Sequence, residues 1–169
     1  TLTRELLENI PLDQRIIALE DTAELFVNHP HFLSLISRPP NADGFGEVTL
    51  RQLLKQCLRM RPDRIILGEC RGTEVLELLQ ALNTGHSGSI ATLHANSARD
   101  ALKRLELLTL LAAQGSIPSF LVRDLIASGL HCIAFVQKTT HKRLISEIWR
   151  IEGREGDTLL LRPMLQSKK

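Results

Sequence analysis

Residues 61–105 read RPDRIILGECRGTEVLELLQALNTGHSGSIATLHANSARDALKRL. This stretch contains two short apolar runs, each followed by an apolar pattern with helical spacing. The first run ends at Glu69 and the second ends at His94. Apolar runs that alternate with helices are typical of parallel strands covered on both faces. Open sheets of this kind bind ligands at the carboxyl ends of their strands, so we expect Glu69 and His94 to line one site.

The residues before this stretch extend the same architecture. The leucine spacing in residues 1–9 predicts a short helix. Residues 15–21, RIIALED, predict a buried strand that again ends in acid, at Glu20. Residues 32–36 predict a short strand within residues 28–46, a segment rich in proline and glycine that is otherwise irregular.

Helix boundaries are marked by capping signals. Thr49 and Gln52 form a capping-box pattern before one helix, and Thr73 can cap a second. Gly85 can close that second helix in a left-handed conformation, and Ser97 marks the start of a third.

The carboxyl-terminal part changes character. A helix is predicted over 118–128, followed by strands over 131–137, 144–151 and 158–161, with a hairpin turn at 152–157. We therefore expect an α/β fold whose mainly parallel sheet lies between helices and carries an antiparallel carboxyl-terminal edge. No long linker interrupts the pattern, so we expect one domain.

Composition excludes few functions. Twenty-one Lys and Arg against nineteen Asp and Glu give a net charge of +2, which by itself indicates neither a nucleic-acid nor a membrane partner. No apolar run reaches the roughly 20 residues of a membrane span, and no signal peptide is evident, so we expect a soluble domain. The odd number of cysteines and the lack of a CxxC pattern favour neither a disulfide framework nor a zinc site, and indicate a reducing compartment.

Acids at two strand ends, a histidine at a third and nearby arginines are suited to phosphoryl transfer. Charge spreads over the phosphoryl oxygens in that reaction, so catalysis depends on placing cations and orienting an attacking water. A carboxylate such as Glu20 or Glu69 can hold Mg2+ through its water shell or orient that water, and arginine can neutralise a phosphate. This pattern alone does not require ATP.

Structural alternatives are open for each of these residues. An acid that ends a strand often caps a helix or pairs with a surface cation. A single histidine such as His94 is often a satisfied buried side chain, and the arginines near Arg61 can form a solvated helix end. His29 and His31 flank Pro30, so we interpret them as loop residues rather than metal ligands.

Five segments together resemble a known family. The segments are RIIALEDTAEL at 15–25, RPPN at 38–41, LRMRP at 58–62, RIILGECR at 64–71 and TGHSGSIATLHANSA at 84–98. In this order they are similar to motifs of the secretion and pilus ATPases of the type II/type IV secretion superfamily, especially its type IV secretion and Tad-pilus motor branch. The first segment resembles the Asp box, the fourth the Walker B segment and the fifth the His box. The resemblance implies a RecA-like P-loop NTPase core.

The resemblance also implies roles for individual residues, with ATP and Mg2+ as cofactors. Glu20 and Glu69 correspond to catalytic carboxylates that activate water or organise Mg2+, and Glu69 is expected to reach Mg2+ through water. The residues expected to contact the nucleotide are Thr1, Arg61, Arg71, His86 and His94.

Members of this family form cytoplasmic homohexamers peripheral to the inner membrane. They couple ATP turnover to the movement of pilin or other protein substrates, so the resemblance implies inner-membrane secretion or pilus platform proteins as partners. A nucleic-acid partner is not expected, because the chain supplies no aromatic stacking surface.

One departure from the family pattern affects the functional prediction. The phosphate-binding loop GxxxxGK followed by Ser or Thr does not occur in these 169 residues. The opening TLTRELL resembles the helix that follows this loop, which puts Thr1 at or just after the hydroxyl position. We therefore expect residues 1–169 to be a carboxyl-terminal motor domain that lacks the loop and the family's amino-terminal domain, and to be inactive alone. The alternatives are a truncated assembly subunit of the same ring that does not hydrolyse ATP, and a nucleic-acid motor.

Overall fold

The structure, a computed structural model, describes residues 2–140 and 142–166 and divides the chain into two compact units that meet at Leu93 and His94. The elements of the first unit are α1 Leu2–Leu7, β1 Ile16–Glu20, β2 Phe32–Ile36, α2 Leu50–Cys57, a 3-10 turn Leu58–Met60, β3 Arg64–Leu67, α3 Glu74–Leu82 and β4 Ile90–Ala91. Those of the second unit are α4 Ala98–Ala113, α5 Ser119–Gly129, β5 Cys132–Lys138, β6 Arg143–Glu155 and β7 Thr158–Gln166. The expectation of one domain over 1–169 stays a prediction.

The first unit is built on a parallel sheet of strand order β2-β1-β3-β4. All five residues of β1 are buried, and so are Ile65, Ile66 and Leu67 of β3. Burial on both faces explains why these strands are continuous apolar runs rather than alternating ones. The predicted α/β architecture with a parallel sheet is confirmed.

The last parallel strand is shorter than predicted. Only Ile90 and Ala91 pair with β3, so His94 lies beyond the strand rather than at its tip. The ladder stops because β3 itself ends at Leu67, and beyond it Cys70 N donates to Thr92 O over 2.8 Å.

Capping predictions for α2 and α4 are confirmed. Thr49 and Gln52 exchange hydrogen bonds as a capping box, with Gln52 N donating to Thr49 Oγ1 over 3.2 Å. Ser97 Oγ accepts from Asp100 N over 3.1 Å at the start of α4.

The cap predicted for α3 is wrong. Thr73 makes no side-chain capping bond, and the first helical residue, Glu74, instead bonds the loop that precedes the helix. The Glu74 carboxylate accepts from the amides of Arg71 and Gly72 over 2.7 and 2.8 Å. A longer acidic side chain reaches back over the loop, which a threonine hydroxyl cannot do.

The second unit contains a separate antiparallel sheet of order β5-β6-β7. The antiparallel strands were predicted as an edge of the parallel sheet, but their ladders form a sheet of their own. Strands β5 and β6 contact α4, and β6 also contacts α5. Strand β6 continues to Glu155, so the predicted turn narrows to Gly156 and Asp157.

Within the residues described, no helix is long and apolar enough to cross a bilayer.

Candidate active site

Neighbouring strands bring two of the predicted acids to one edge of the parallel sheet. Glu20 is the last residue of β1, and Glu69 follows the adjacent β3 by two residues. Gly68 N donates to Leu19 O over 2.8 Å, which keeps the two chains together past the end of β3. A Cβ on Gly68 would lie 3.3 Å from Leu19 O and 3.4 Å from Glu20 Cγ, so the chain after β3 runs close to the end of β1.

Glu20 is buried and fully engaged as a hydrogen-bond acceptor. It is 3% exposed, and its Oε1 accepts from Ser34 Oγ over 2.7 Å. Its Oε2 accepts from the amides of Glu24 and Leu25, each over 2.9 Å. Three donors satisfy this buried carboxylate, and they fold the segment after β1 back over the strand. A catalytic role for Glu20 stays a prediction. To bind a water molecule or Mg2+, the Glu20 carboxylate would have to give up one of these three hydrogen bonds.

Glu69 is held by Arg71. Arg71 Nη2 donates to Glu69 Oε2 over 2.5 Å, and the Glu69 side chain is 20% exposed. This hydrogen bond and the charge of Glu69 raise the pKa of Arg71, with smaller contributions from the charges of Asp21 and Glu24. Arg71 is therefore a permanent cation that orients the Glu69 carboxylate at the sheet edge.

Asp21 lies beside the Glu69–Arg71 ion pair. Its neighbour Glu20 was predicted from the sequence as a site residue, but Asp21 was not. Asp21 Oδ2 lies 4.0 Å from Arg71 Nη1, and its Oδ1 accepts from Ser37 Oγ over 2.8 Å. Successive residues of a strand point to opposite faces. Adjacent acids at a strand end could therefore have indicated one buried carboxylate and one exposed carboxylate.

The loop that carries Glu69 and Arg71 is tied down on both sides. Cys70 N donates to Thr92 O over 2.8 Å, and Thr92 Oγ1 donates to Gly68 O. Burial raises the pKa of the Cys70 thiol to about 12, and the charges of Glu74 and Glu69 add to that shift. Cys70 is thus a neutral packing residue beside the acid rather than a nucleophile.

Two of the predicted nucleotide contacts lie at the other edge of the same sheet. Arg61 precedes the start of β3, and His86 lies in the loop that leads into β4. Ile65 N donates to Ser89 Oγ, which donates in turn to His86 O, so this loop packs at the amino-terminal end of β3. At about 3.3 Å per residue, the four residues of β3 separate the two edges by roughly 13 Å.

His86 and Arg61 have local structural features at that edge. His86 Nδ1 lies 3.2 Å from Ala81 O, which is consistent with the protonated Nδ1 donating to the end of α3. Arg61 is exposed and adopts the left-handed conformation, with φ of 56°, immediately before Pro62. Their nucleotide contacts stay predictions, and the structure does not bring them to Glu69.

Two further predicted contacts are placed differently. His94 is exposed and begins the second unit, so its convergence with Glu20 and Glu69 stays a prediction. Thr1 lies outside the described residues.

The acidic edge suits water-mediated Mg2+ binding rather than a protein-made metal cage. Across residues 2–140 and 142–166, no group of His, Cys, Asp and Glu side chains is arranged to hold a metal ion. Mg2+ at nucleotide sites is typically held by one or two carboxylates together with waters and substrate phosphates, and Glu69 fits that smaller share.

His29 illustrates the structural alternative for a histidine. It is 9% exposed, its Nε2 lies 3.2 Å from Pro11 O, and its Nδ1 accepts from His31 N over 3.2 Å. Both ring nitrogens therefore serve the backbone of the loop, as the loop interpretation predicts.

Comparison with known proteins agrees with this architecture. Residues 1–148 match the model of a family described as Type II/IV secretion system protein. The chain is 38% identical over 156 residues to the type IV secretion system protein VirB11 of Brucella suis, covering 88% of this chain and 43% of that protein. It is 38% identical over 141 residues to the conjugal transfer protein TrbB of Rhizobium radiobacter, covering 83% of this chain and 40% of that protein.

A solved structure extends the likeness to three dimensions. The crystal structure of the VirB11 ATPase from the Brucella suis type IV secretion system, in complex with sulphate, superposes with a TM-score of 0.77 at 36% identity. The match covers 88% of this chain and 44% of that one, so this chain spans less than half the length of these relatives. The chain therefore belongs to the type II/IV secretion system protein family and has its RecA-like α/β fold.

Proposed function

We propose that residues 1–169 are the carboxyl-terminal motor domain of an ATPase that drives a bacterial type II/IV secretion or Tad or type IV pilus assembly system. Family membership supports this proposal, and so does the placement of Glu20 and the Glu69–Arg71 ion pair at the carboxyl ends of adjacent strands, here called the cluster. The cluster is the single structural observation that carries it, because ligands of open α/β sheets bind at that edge.

Each residue of the cluster has a distinct proposed role. Glu69 orients the attacking water, or binds Mg2+ through a water molecule, and Arg71 holds the Glu69 carboxylate in position. Glu20 maintains the loop that covers the strand end, in addition to its proposed role in activating water. ATP bound with Mg2+ would supply the phosphoryl group whose developing charge such a site must accommodate.

The proposed setting follows the family. The motor is a cytoplasmic homohexamer peripheral to the inner membrane that engages secretion or pilus platform proteins there. Conjugal transfer and type IV secretion, the processes for which the relatives are named, are the first systems to test.

A second candidate function is an assembly subunit of the same ring that does not hydrolyse ATP. Residues 1–169 contain no GxxxxGK loop, whose backbone amides and lysine hold the phosphates in P-loop enzymes. A non-hydrolysing subunit that completes the same ring would not need that loop.

The two functions differ in what the full-length gene product does. We expect that product to hydrolyse ATP in the presence of Mg2+, and the isolated 169-residue chain to show no turnover. Hydrolysis by the isolated chain would contradict the expectation that these 169 residues are inactive alone. A full-length product that assembles into the ring without turnover would favour the non-hydrolysing subunit.

A further inference from the structure

Two arginines face each other across the outer ladder of the second unit. Arg150 of β6 and Arg162 of β7 are directly opposed in the antiparallel register. Both are exposed, and the Arg162 side chain keeps 68% of its surface in solvent. Like charges directly opposed in a sheet are destabilising, so this pairing weakens the hairpin that contains it.

The charge of this pair is only partly neutralised within the chain. Glu152 Oε1 lies 3.5 Å from Arg162 Nη1, and that carboxylate is itself 44% exposed. Among residues 2–140 and 142–166, Arg150 forms no ion pair and no side-chain hydrogen bond. The pair therefore retains one uncompensated positive charge.

The same two arginines line two depressions in the surface, which we call the arginine cleft. The larger depression, of about 500 Å³, is lined by Ala127, Arg150, Ile151, Glu152, Gly153 and Arg162. The smaller, of about 360 Å³, adds Pro163 and Met164 to the two arginines. Spaces of this size can hold a few side chains of a ligand. Cationic groups thus lie next to apolar side chains in two shallow, open depressions.

We propose that the arginine cleft binds an acidic peptide segment of a partner protein, with a carboxylate of the peptide placed between Arg150 and Arg162. Guanidinium groups bind carboxylates through paired N–H donors, and a carboxylate between them would relieve the repulsion of the opposed charges. Met164 and Pro163 would contact an apolar side chain next to that carboxylate.

Peptide is favoured over two other anionic partners. Membrane surfaces attract basic clusters of about four to eight residues, whereas this cleft has two arginines offset by one glutamate. Single-stranded nucleic acid is held by aromatic stacking together with a basic groove, and the lining of the arginine cleft contains no aromatic side chain. The cleft lies within the second unit alone, so this inference goes beyond the proposed ATPase site.

The test is fluorescence anisotropy of the full chain with a fluorescein-labelled peptide of alternating glutamate and leucine. We expect saturable binding that weakens with added salt and falls by at least about tenfold when Arg150→Gln and Arg162→Gln are combined. Arg143→Gln, an exposed arginine of the same strand outside the cleft, is the matched control and should bind as the parent does. A lysine–leucine peptide should not bind.

Unfolding by urea separates binding from folding. Because the double variant removes opposed like charges, its unfolding midpoint should equal or exceed that of the parent. A lower midpoint would assign the arginines to packing and contradict the proposal. The proposal would also be overturned if the glutamate–leucine peptide failed to bind, or bound the double variant equally. Tighter, arginine-dependent binding of oligothymidylate or phosphatidylglycerol vesicles would assign the cleft to phosphate instead.

Discussion

Gly88 supports the amino-terminal edge of the parallel sheet through its lack of a side chain. Its φ is +80°, and a Cβ at this position would collide with Arg64 Nη1. Arg64 Nη1 donates to Gly88 O over 3.0 Å and so links the α3–β4 loop to the start of β3.

We predict that Gly88→Ala lowers the free energy of unfolding by more than Gly85→Ala does. Both positions have positive φ, but a Cβ on Gly85 meets nothing within 4 Å, so that variant costs only the left-handed backbone, about 1 kcal/mol. Gly88→Ala should cost about 1 kcal/mol more, because Arg64 must move and lose its hydrogen bond. Urea unfolding measures both. Equal losses of unfolding free energy in the two variants would contradict this explanation. So would a difference between them that stays the same when Arg64 is also replaced by Met.

At the residue scale, the identity of the acids could be predicted but their partners could not. Glu20 and Glu69 were identified because each ends an apolar run. The roles of Asp21 and Glu74 depend on contacts that no spacing rule contains, with Arg71 and with the amides of Arg71 and Gly72. Long side chains can reach several nearby partners, and the loop conformation determines which of these contacts forms.

An ion pair ties α5 to β6 in the second unit. Arg154 donates to both carboxylate oxygens of Asp124, over 3.0 Å from Nη2 and by a shorter bond from Nε. This hydrogen bonding, with the charge of Arg154, holds the pKa of Asp124 below its usual value. Asp124 therefore stabilises the folded state above its unfolded pKa, and this contribution disappears as the pH falls through the folded pKa.

We predict that Asp124→Asn lowers the urea midpoint at neutral pH, and that the difference from the parent shrinks on acidification. The asparagine amide can accept at one oxygen only and carries no charge. Glu155→Gln is the control. Glu155 is an exposed acid at the end of β6, the strand that carries Arg154, and its replacement should change the urea midpoint little. A difference that stayed constant from neutral to acidic pH would exclude the ionic explanation.

Elements were more predictable than their arrangement. Apolar runs and capping signals located β1, β2, β3, α2 and α4 within a few residues. The length of β4 was overestimated because it depends on where its neighbour β3 ends, which is a property of the pair. The antiparallel strands form their own sheet because they pair with one another in hairpin order, β5 to β6 to β7.

At the scale of the whole molecule, two buried thiols make the free energy of unfolding depend on pH in the alkaline range. Burial is the main cause that raises the pKa of Cys57 to about 11 and that of Cys70 to about 12. Below about pH 8 both states keep these protons, so the thiols add no pH dependence. Above it the unfolded chain releases them first, and stability falls as the pH rises through the folded pKa values.

We predict a loss of about 2 kcal/mol per buried thiol between about pH 8 and about pH 10.5, measured by urea unfolding. Combining Cys57→Ala and Cys70→Ala should remove most of this loss relative to the parent. Cys132→Ala is the comparison variant: that thiol is exposed and burial raises its pKa less than those of Cys57 and Cys70, so its removal should recover less of the loss. If the double variant lost stability with pH as steeply as the parent, other groups would be responsible.

We propose that Glu69, held by Arg71 at the carboxyl edge of the sheet, acts in ATP hydrolysis. Sequence motifs indicated both residues, and the structure adds the ion pair in which Arg71 orients Glu69, while the nucleotide contact of Arg71 stays a prediction.

The most direct test is steady-state hydrolysis by the full-length gene product carrying Glu69→Gln, with nucleotide affinity measured in parallel. We predict that kcat falls by about two to four orders of magnitude while the nucleotide Kd changes by less than about tenfold. Glu47→Gln, an exposed acid outside the cluster, should leave both values unchanged. A Glu69→Gln variant with the kcat of the parent would contradict the assignment of this edge as the active site.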